Sequence, residues 1–241
     1  MKKLIIILIL ISIQGFSAQV YQELKNENKI DSIDSSIDHN MITSTAETIG
    51  EGAFVVNSYE IVVFGVTYGF TDYIQLSFTA IYETPFLATM LKFKLIDSDF
   101  IKFSIQPGIF LSDERATFLS NLNLLMDINL GEFATITFSQ STYMTNNDKR
   151  KLTYTASAAL NIKITDRFKI ILEGIRSFNH KNEKLEFSDG YLINYGARFI
   201  IDDFSVTLGF LRPLSSSKED NDLVKSFPIG IPFISGSIIH F

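Results

Sequence analysis

The sequence predicts an all-β fold, an antiparallel up-and-down transmembrane β-barrel of about twelve strands. Three observations support this prediction. Hydrophobic residues alternate with polar ones from about residue 50 onward, and tight turns recur at regular intervals. The chain is also 46% hydrophobic, yet beyond its first residues it contains no apolar run long enough for a spanning helix.

The alternation is clear in the segment after Tyr73. Ile74, Leu76 and Phe78 share one face, while Gln75 and Ser77 share the other. The same pattern recurs over residues 121–130 and 152–163. Each such segment predicts a strand with one apolar and one polar face, as in a sandwich or a membrane barrel.

Five short turns, each followed by an aromatic residue, favour the barrel. They read FTDY, DSDF, GEF, TDRF and DDF. Aromatic residues concentrate where a bilayer meets water, so five at equivalent positions predict an aromatic girdle. The alternative is that each ring packs beneath its own hairpin, which would be the better explanation for a single aromatic residue of this kind. The predicted girdle residues are Tyr73, Phe100, Phe133, Phe168 and Phe204.

The connections at the opposite ends of the strands are longer and more charged. Short periplasmic turns and longer external loops are typical of bacterial outer-membrane barrels, and an even strand number places both chain ends on the short-turn side. The first hairpin is predicted around Gly52–Asn57 and Ile61–Phe70, joined by Ser58–Glu60. The predicted longer connections are Ser112–Ala116, Thr145–Lys151, Asn179–Gly190 and Ser215–Ser226.

Three segments divide the chain. Residues 1–18 are expected to be a signal peptide, because Lys2 and Lys3 precede an apolar run that ends near small residues. Residues 19–45 form a polar, acidic periplasmic leader. Its part from Gln19 to about Asn40 has little apolar periodicity and is expected to be disordered or loosely attached. Residues 46–241 form the predicted outer-membrane barrel.

The last segment, GIPFISGSIIHF, resembles the closing strand of bacterial outer-membrane β-barrel proteins. The resemblance implies an assembly signal formed by Phe233, Ile239 and Phe241, expected on the lipid face. It also implies a Gram-negative-type outer membrane, with its lipid, periplasmic chaperones and the barrel-assembly machinery as partners. The segments TAETIGEG and YGFTDY are similar to a group of uncharacterised outer-membrane barrels, which adds no activity.

If the apolar faces meet lipid, the opposite faces line a lumen. Its predicted cations lie near the short turns, where a ring of Lys or Arg would favour small anionic solutes. The alternative is that they pair with turn acids such as Asp97, Asp99, Asp166 and Asp202, or extend to water. The predicted lumen-lining residues are Lys92, Lys94, Lys102, Lys163, Lys169, Arg198, Asp127 and Glu173.

The acidic leader suggests one further hypothesis. Because it begins on the periplasmic side, it could enter the basic mouth and plug it, and deletion of residues 19–40 would then increase conductance. An ordinary flexible tail, or a contact with another envelope protein, is the alternative.

Signs of catalysis are sparse in this sequence. Cysteine is absent, and the three histidines form neither a His-x-Ser nor an Asp-x-His motif. We expect no catalytic or metal site, no cofactor and, from a formal charge of −6, no nucleic-acid partner. The prediction is therefore a non-enzymatic barrel, a small-solute channel with a basic periplasmic-side lumen. The alternative is a non-conducting structural or adhesive barrel, with an outer-membrane lipid hydrolase or protease less favoured.

Overall fold

A computed structural model describes residues 34–60, 63–82, 86–112, 117–145, 152–181, 184–215 and 229–240. Twelve β-strands lie within these ranges, as the alternation predicts. They are β1 Phe54–Tyr59, β2 Val63–Thr71, β3 Ile74–Ile81, β4 Phe86–Asp97, β5 Ile101–Ser112, β6 Thr117–Asn129, β7 Ala134–Thr145, β8 Leu152–Thr165, β9 Phe168–Lys181, β10 Lys184–Ile201, β11 Phe204–Ser215 and β12 Ile231–His240.

The strands form one closed barrel in which each pairs antiparallel with its neighbours in the chain. Closure comes from β1 and β12, where Phe54 lies opposite His240 and Tyr59 opposite Ser235. Closure leaves no unpaired edge among the twelve described strands. The predicted all-β, up-and-down, twelve-stranded fold is confirmed.

The five predicted short turns all lie at one end of the barrel, here called the short-turn rim. They comprise residues 72–73, 98–100, 130–133, 166–167 and 202–203. At the opposite rim, the predicted connection Asn179–Gly190 is wrong. The chain there stays in strand until Lys181 and resumes at Lys184, with a register shift between Phe187 and Tyr191. A strand that projects beyond the lipid needs no apolar face, so its sequence loses the alternation that would reveal it.

Side chains alternate across the barrel wall. Large apolar residues such as Phe78, Leu124 and Leu208 are exposed on the outside. Polar residues such as Gln75 and Asn123 are buried on the inside. Among the described residues, no helix is long and apolar enough to cross a membrane.

In the terminal strand, β12, the side chains expected on the lipid face point into the barrel. Phe233 and Ile239 are only 6% and 1% exposed and lie inside the barrel, not on its lipid face. The strand's other register, which includes Ile234 and Ile238, faces outward and is also apolar. Because both faces of this strand carry apolar side chains, its sequence does not show which face points outward. Phe241 lies outside the described residues, and the assembly signal stays a prediction.

Candidate functional site

The main feature of the lumen is a chain segment that precedes the first strand. Residues 34–50, here called the inner hairpin, enter at the short-turn rim, turn back within the barrel and return to that rim. His39 and Ser44 form an antiparallel bridge. The Asn40 N–H donates to Thr43 O at 2.8 Å, and the Thr45 N–H to Asp38 O at 3.0 Å. The expectation of a disordered or loosely attached leader is therefore wrong for residues 34–40.

The two glycine-marked segments, TAETIGEG and YGFTDY, meet where the inner hairpin leaves the lumen. Thr48 Oγ1 donates to the backbone oxygen of Asp72 at 2.5 Å, and the Glu51 N–H to its carboxylate at 3.1 Å. A Cβ on Gly69 would lie 1.7 Å from the carbonyl oxygen of Gly50. Only glycine permits this crossing, so the two segments fix the hairpin's exit.

Arg198 on β10 is the main anchor of the hairpin's first strand. Its guanidinium donates to the backbone oxygens of Ser36 at 2.8 Å, His39 at 3.1 Å and Asn40 at 2.5 Å. It also lies 3.5 Å from the Asp34 carboxylate, while Nε donates to Thr207. The planar fork of donors explains why an arginine can hold several acceptors at once.

Asp34 occupies a site between two cations. Lys169 Nζ lies 2.7 Å from its carboxylate, beside Arg198. Burial raises the pKa of Asp34, but Arg198 and Lys169 outweigh burial and lower that pKa from 3.8 to about 2. Asp34 is therefore an anion at any ordinary pH.

The returning strand of the hairpin carries a second carboxylate into a second cluster of cations. Glu47 contacts Lys102 directly and lies 3.6 Å from Lys94, and both lysines also pair with Asp97 at the rim. Lys92, only 1% exposed, donates to the backbone oxygens of Glu47 at 2.8 Å and Asp38 at 3.2 Å. Hairpin acceptors thus satisfy cations that the wall alone leaves with few partners.

The wall's own acids bind the hairpin backbone. Glu173 accepts from the N–H groups of Ile42 at 3.2 Å and Thr43 at 2.9 Å, and from the Thr43 hydroxyl. Asp127 accepts from the Ala46 N–H at 2.9 Å. Both signs of wall charge are therefore used to hold the same segment.

Two small apolar clusters complete the packing. Met41 packs with Ile171 and Phe233 in the middle of the barrel. Ile49 packs with Ile239 near the short-turn rim, together with Ala53 and Val55. The inward facing of Phe233 and Ile239 follows, because each side chain covers an apolar residue of the hairpin.

The structure places all but one of the predicted lumen residues inside the barrel. Lys92, Asp127, Glu173 and Arg198 are at most 2% exposed, and the side chains of Lys94, Lys102 and Lys169 are 7%, 19% and 23% exposed. Lys163 is the exception. Its side chain is 41% exposed and pairs at the rim with Asp166 at 2.6 Å. The cations thus pair with both turn acids and hairpin acids.

The predicted girdle residues all flank short turns. Tyr73, Phe100, Phe133 and Phe204 are exposed, whereas Phe168 is half-buried and lies 5.0 Å from the ring of Phe199. Their role as a membrane girdle stays a prediction.

Sequence reasoning offered the leader as a hypothetical plug of the basic mouth, but named none of its residues as components of the site. Asp34, Asp38 and Glu47 carry the negative charge that the lumen cations bind, and the signal available for them was the acidity of the leader. The segment shows no alternation of apolar and polar residues, because contacts with charged wall side chains determine its sequence and it has no apolar face to present to lipid.

Asp38 and His39 form an acid-imidazole pair with Nδ1 and Oδ1 2.9 Å apart. Burial raises the pKa of Asp38, but the hydrogen bond and charge of His39, together with Lys92, outweigh it and hold that pKa well below its usual range. His39 Nε2 contacts no nucleophile within hydrogen-bond distance among the described residues. Those residues also contain no group of three potential metal ligands.

Comparison with known proteins places the chain by fold. No family model matches it, and no curated protein matches its sequence. It is similar in structure to NanC porin, with 6% identity and a TM-score of 0.50 over 78% of this chain and 98% of that one. It is equally similar to KdgM porin in complex with disordered oligogalacturonate, with 9% identity and a TM-score of 0.50 over 78% and 97%. At these identities the likeness shows the fold alone, which is that of porin barrels.

Proposed function

We propose that this chain is an integral outer-membrane β-barrel and a channel for small solutes, closed by its inner hairpin in the described state. The porin-type fold and the exposed apolar side chains on the outside support a membrane location. The observation that carries the channel assignment is that five lumen cations all contact the hairpin. These are Lys92, Lys94, Lys102, Lys169 and Arg198.

Closure by ionic and backbone contacts is chemically reversible. When the hairpin leaves the lumen, water and mobile ions can solvate both sets of charges. A lumen filled by wall side chains offers no such exchange. The proposal therefore treats residues 34–50 as a removable plug.

The open lumen would prefer anions. Withdrawal of the hairpin removes Asp34, Asp38 and Glu47, and leaves the five cations with three wall acids, Asp97, Asp127 and Glu173. Rings of Lys and Arg select anions in pores. The substrates proposed are small anionic solutes.

Conductance in planar lipid bilayers under a salt gradient tests this. The full chain should give small or brief currents, and a chain lacking residues 19–47 should give larger, anion-preferring ones. A chain lacking only residues 19–33 is the control and should behave like the full chain. Equal currents from all three chains would contradict the role of the hairpin as a plug. A preference for cations would contradict the proposal that the lumen cations select anions.

A non-conducting structural barrel is the second candidate. The observation that favours it is the extent of the hairpin's buried contacts, from Asp34 at one end to Ile49 at the other. It predicts zero current even after residues 19–47 are removed.

A further inference from the structure

Beyond the tip of the inner hairpin, towards the opposite rim, the barrel encloses a cavity of about 400 Å³. Its floor is formed by Asp38, His39, Ile42 and Ser44 of the hairpin, and it extends to Glu60 and Val63 beside the β1–β2 connection. Ligand pockets span roughly 300–1,000 Å³, so the size suits a small solute.

The cavity wall combines hydroxyl and amide groups with the apolar side chains of Ile42, Val63, Met90, Leu211 and Phe233. Thr67 and Ser77 lie on neighbouring strands and share a hydrogen bond of 2.9 Å. Asn57, Thr79 and Gln106 add further groups, and hydroxyls can both donate and accept. Such a wall matches a ligand that itself carries several hydroxyls.

Aromatic rings border the same space. Tyr59 and Phe233 line the cavity, and the ring of Tyr59 lies 5.5 Å from that of His39 in an edge-on arrangement. An apolar ring surface among hydroxyls suits a ligand with both C–H and O–H faces.

The charges around the cavity disfavour ions. No lysine or arginine is present among the described residues that line it, so an anion would find no counter-charge there. Asp38 is already bonded to His39 at 2.9 Å and to Gln75 at 3.1 Å. Glu60 is exposed at the rim, where water solvates it.

Two buried polar side chains on the cavity wall retain unused hydrogen-bonding capacity. His39 and Asn57 are 5% and 6% exposed, and His39 Nε2 and Asn57 Oδ1 have no hydrogen-bond partner among the described residues. Buried polar atoms of proteins are otherwise almost always paired. A small shift of either side chain would present a polar atom to a ligand.

We propose that this cavity binds a small, neutral, polyhydroxylated solute about the size of a hexose, entering from the opposite rim. The site belongs to the closed state, because four of its residues are on the hairpin. Its ligand therefore stabilises the docked hairpin. The proposal requires that the hairpin be docked, but not that the barrel conduct.

Binding of three matched probes to the full chain in detergent micelles tests the ligand class. Glucose, glucosamine and glucuronate share a ring and differ in charge. We expect glucose to bind with a dissociation constant on the order of millimolar, and the two charged sugars to bind more weakly. Isothermal calorimetry gives the constants. Failure of glucose to bind, or tighter binding of either charged sugar, would overturn the proposal.

A filling variant and its control test the location. A Cβ on Gly65 would lie 3.5 Å from Thr79 Oγ1 and 3.6 Å from Asn57 Cβ, in ordinary contact, so the rest of a leucine side chain would fill the cavity. Gly65→Leu should weaken glucose binding by at least about tenfold. Gly174→Leu adds the same side chain on the exposed outer face, where nothing lies within 4 Å, and should bind normally. Equal affinity in the two variants would overturn the assignment.

Thr79→Val keeps the test available if Gly65→Leu does not fold. It removes one wall hydroxyl at nearly constant volume and should weaken glucose binding severalfold, whereas an unchanged affinity would contradict the site. A protein that binds glucose but carries no current would retain this proposal and lose the channel proposal.

Discussion

The two halves of the lumen differ in which groups satisfy the polar side chains of the wall. In the half near the short-turn rim, wall cations such as Lys92 and Arg198 are buried against an inserted chain segment. In the other half, the cavity wall is built from neutral groups such as Thr67, Ser77 and Gln106. A buried charge must be paired, whereas a hydroxyl can be satisfied by water or a solute. The charged half therefore holds the hairpin, and the neutral half holds the free space.

Among the changes that test this comparison, loss of the Arg198 anchor should weaken hairpin docking most. Arg198→Met removes three bonds to the hairpin backbone and leaves Asp34 with one fewer cation. Breaking a buried pair from one side costs about 3–5 kcal/mol. Hydrogen exchange should show lost protection over residues 34–50, with the strands still protected. Arg167→Met, on an exposed turn, is the control, and equal protection in both variants would contradict the anchor role.

Glu47→Gln should have the next largest effect. The substitution removes the charge that faces Lys94 and Lys102 but keeps the side-chain shape. The expected cost to hairpin docking is about 1–3 kcal/mol, because the site is partly hydrated and Asp97 still faces the lysines. Glu51→Gln alters an exposed glutamate just outside the lumen and should leave hydrogen exchange unchanged. Similar deprotection in both variants would show that the lumen position of Glu47 is irrelevant.

Acidification should weaken docking through Asp34. The pKa of Asp34 is lowered from 3.8 to about 2, so its contribution is present above pH 3.8 and is lost as pH falls towards 2. That contribution is about 2 kcal/mol. Limited proteolysis of residues 34–50 should accelerate between pH 4 and pH 2 with an acid-stable protease. Asp34→Asn should lack this component of the pH dependence, and an unchanged profile in the variant would contradict it.

The neutral half should contribute least to hairpin docking. Thr79→Val alters a cavity hydroxyl that makes no hydrogen bond to the hairpin among the described contacts, so its effect on docking should stay below about 1 kcal/mol. Hydrogen exchange over residues 34–50 should match that of the unaltered chain. Deprotection as large as that of Glu47→Gln would show that the two halves hold the hairpin equally.

The fold was predictable because the outside and the inside of the barrel wall carry opposite polarities on alternate residues. The segment from Ile74 to Phe78 shows this alternation, and the five aromatic turns mark one rim. The end of β9 and the start of β10 escaped prediction because their strands continue past the alternating region. The inward face of β12 was assigned wrongly because Phe233 and Ile234, which lie on opposite faces, are both apolar.

The site was predictable only on the wall. The cations on inward positions of β4, β5, β9 and β10 follow from alternation, and Arg198 and Lys92 are among them. Their partners Asp34 and Glu47 lie in a segment with no period, so their positions depend on tertiary contacts that no local pattern records. The leader's acidity indicated a partner for the basic mouth, but not the fold that it adopts there.

A reversible lock on the inner hairpin tests the central claim most directly. The chain has no cysteine, and Ser36 Oγ lies 2.8 Å from Ser237 Oγ on β12. Ser36→Cys and Ser237→Cys, combined with Arg198→Met, should give a channel that conducts when reduced. Oxidation should close it by tying the hairpin to the wall, and reductant should restore the current. A current that is unaffected by the disulfide, or absent in both states, would contradict a channel closed by its own N-terminal hairpin.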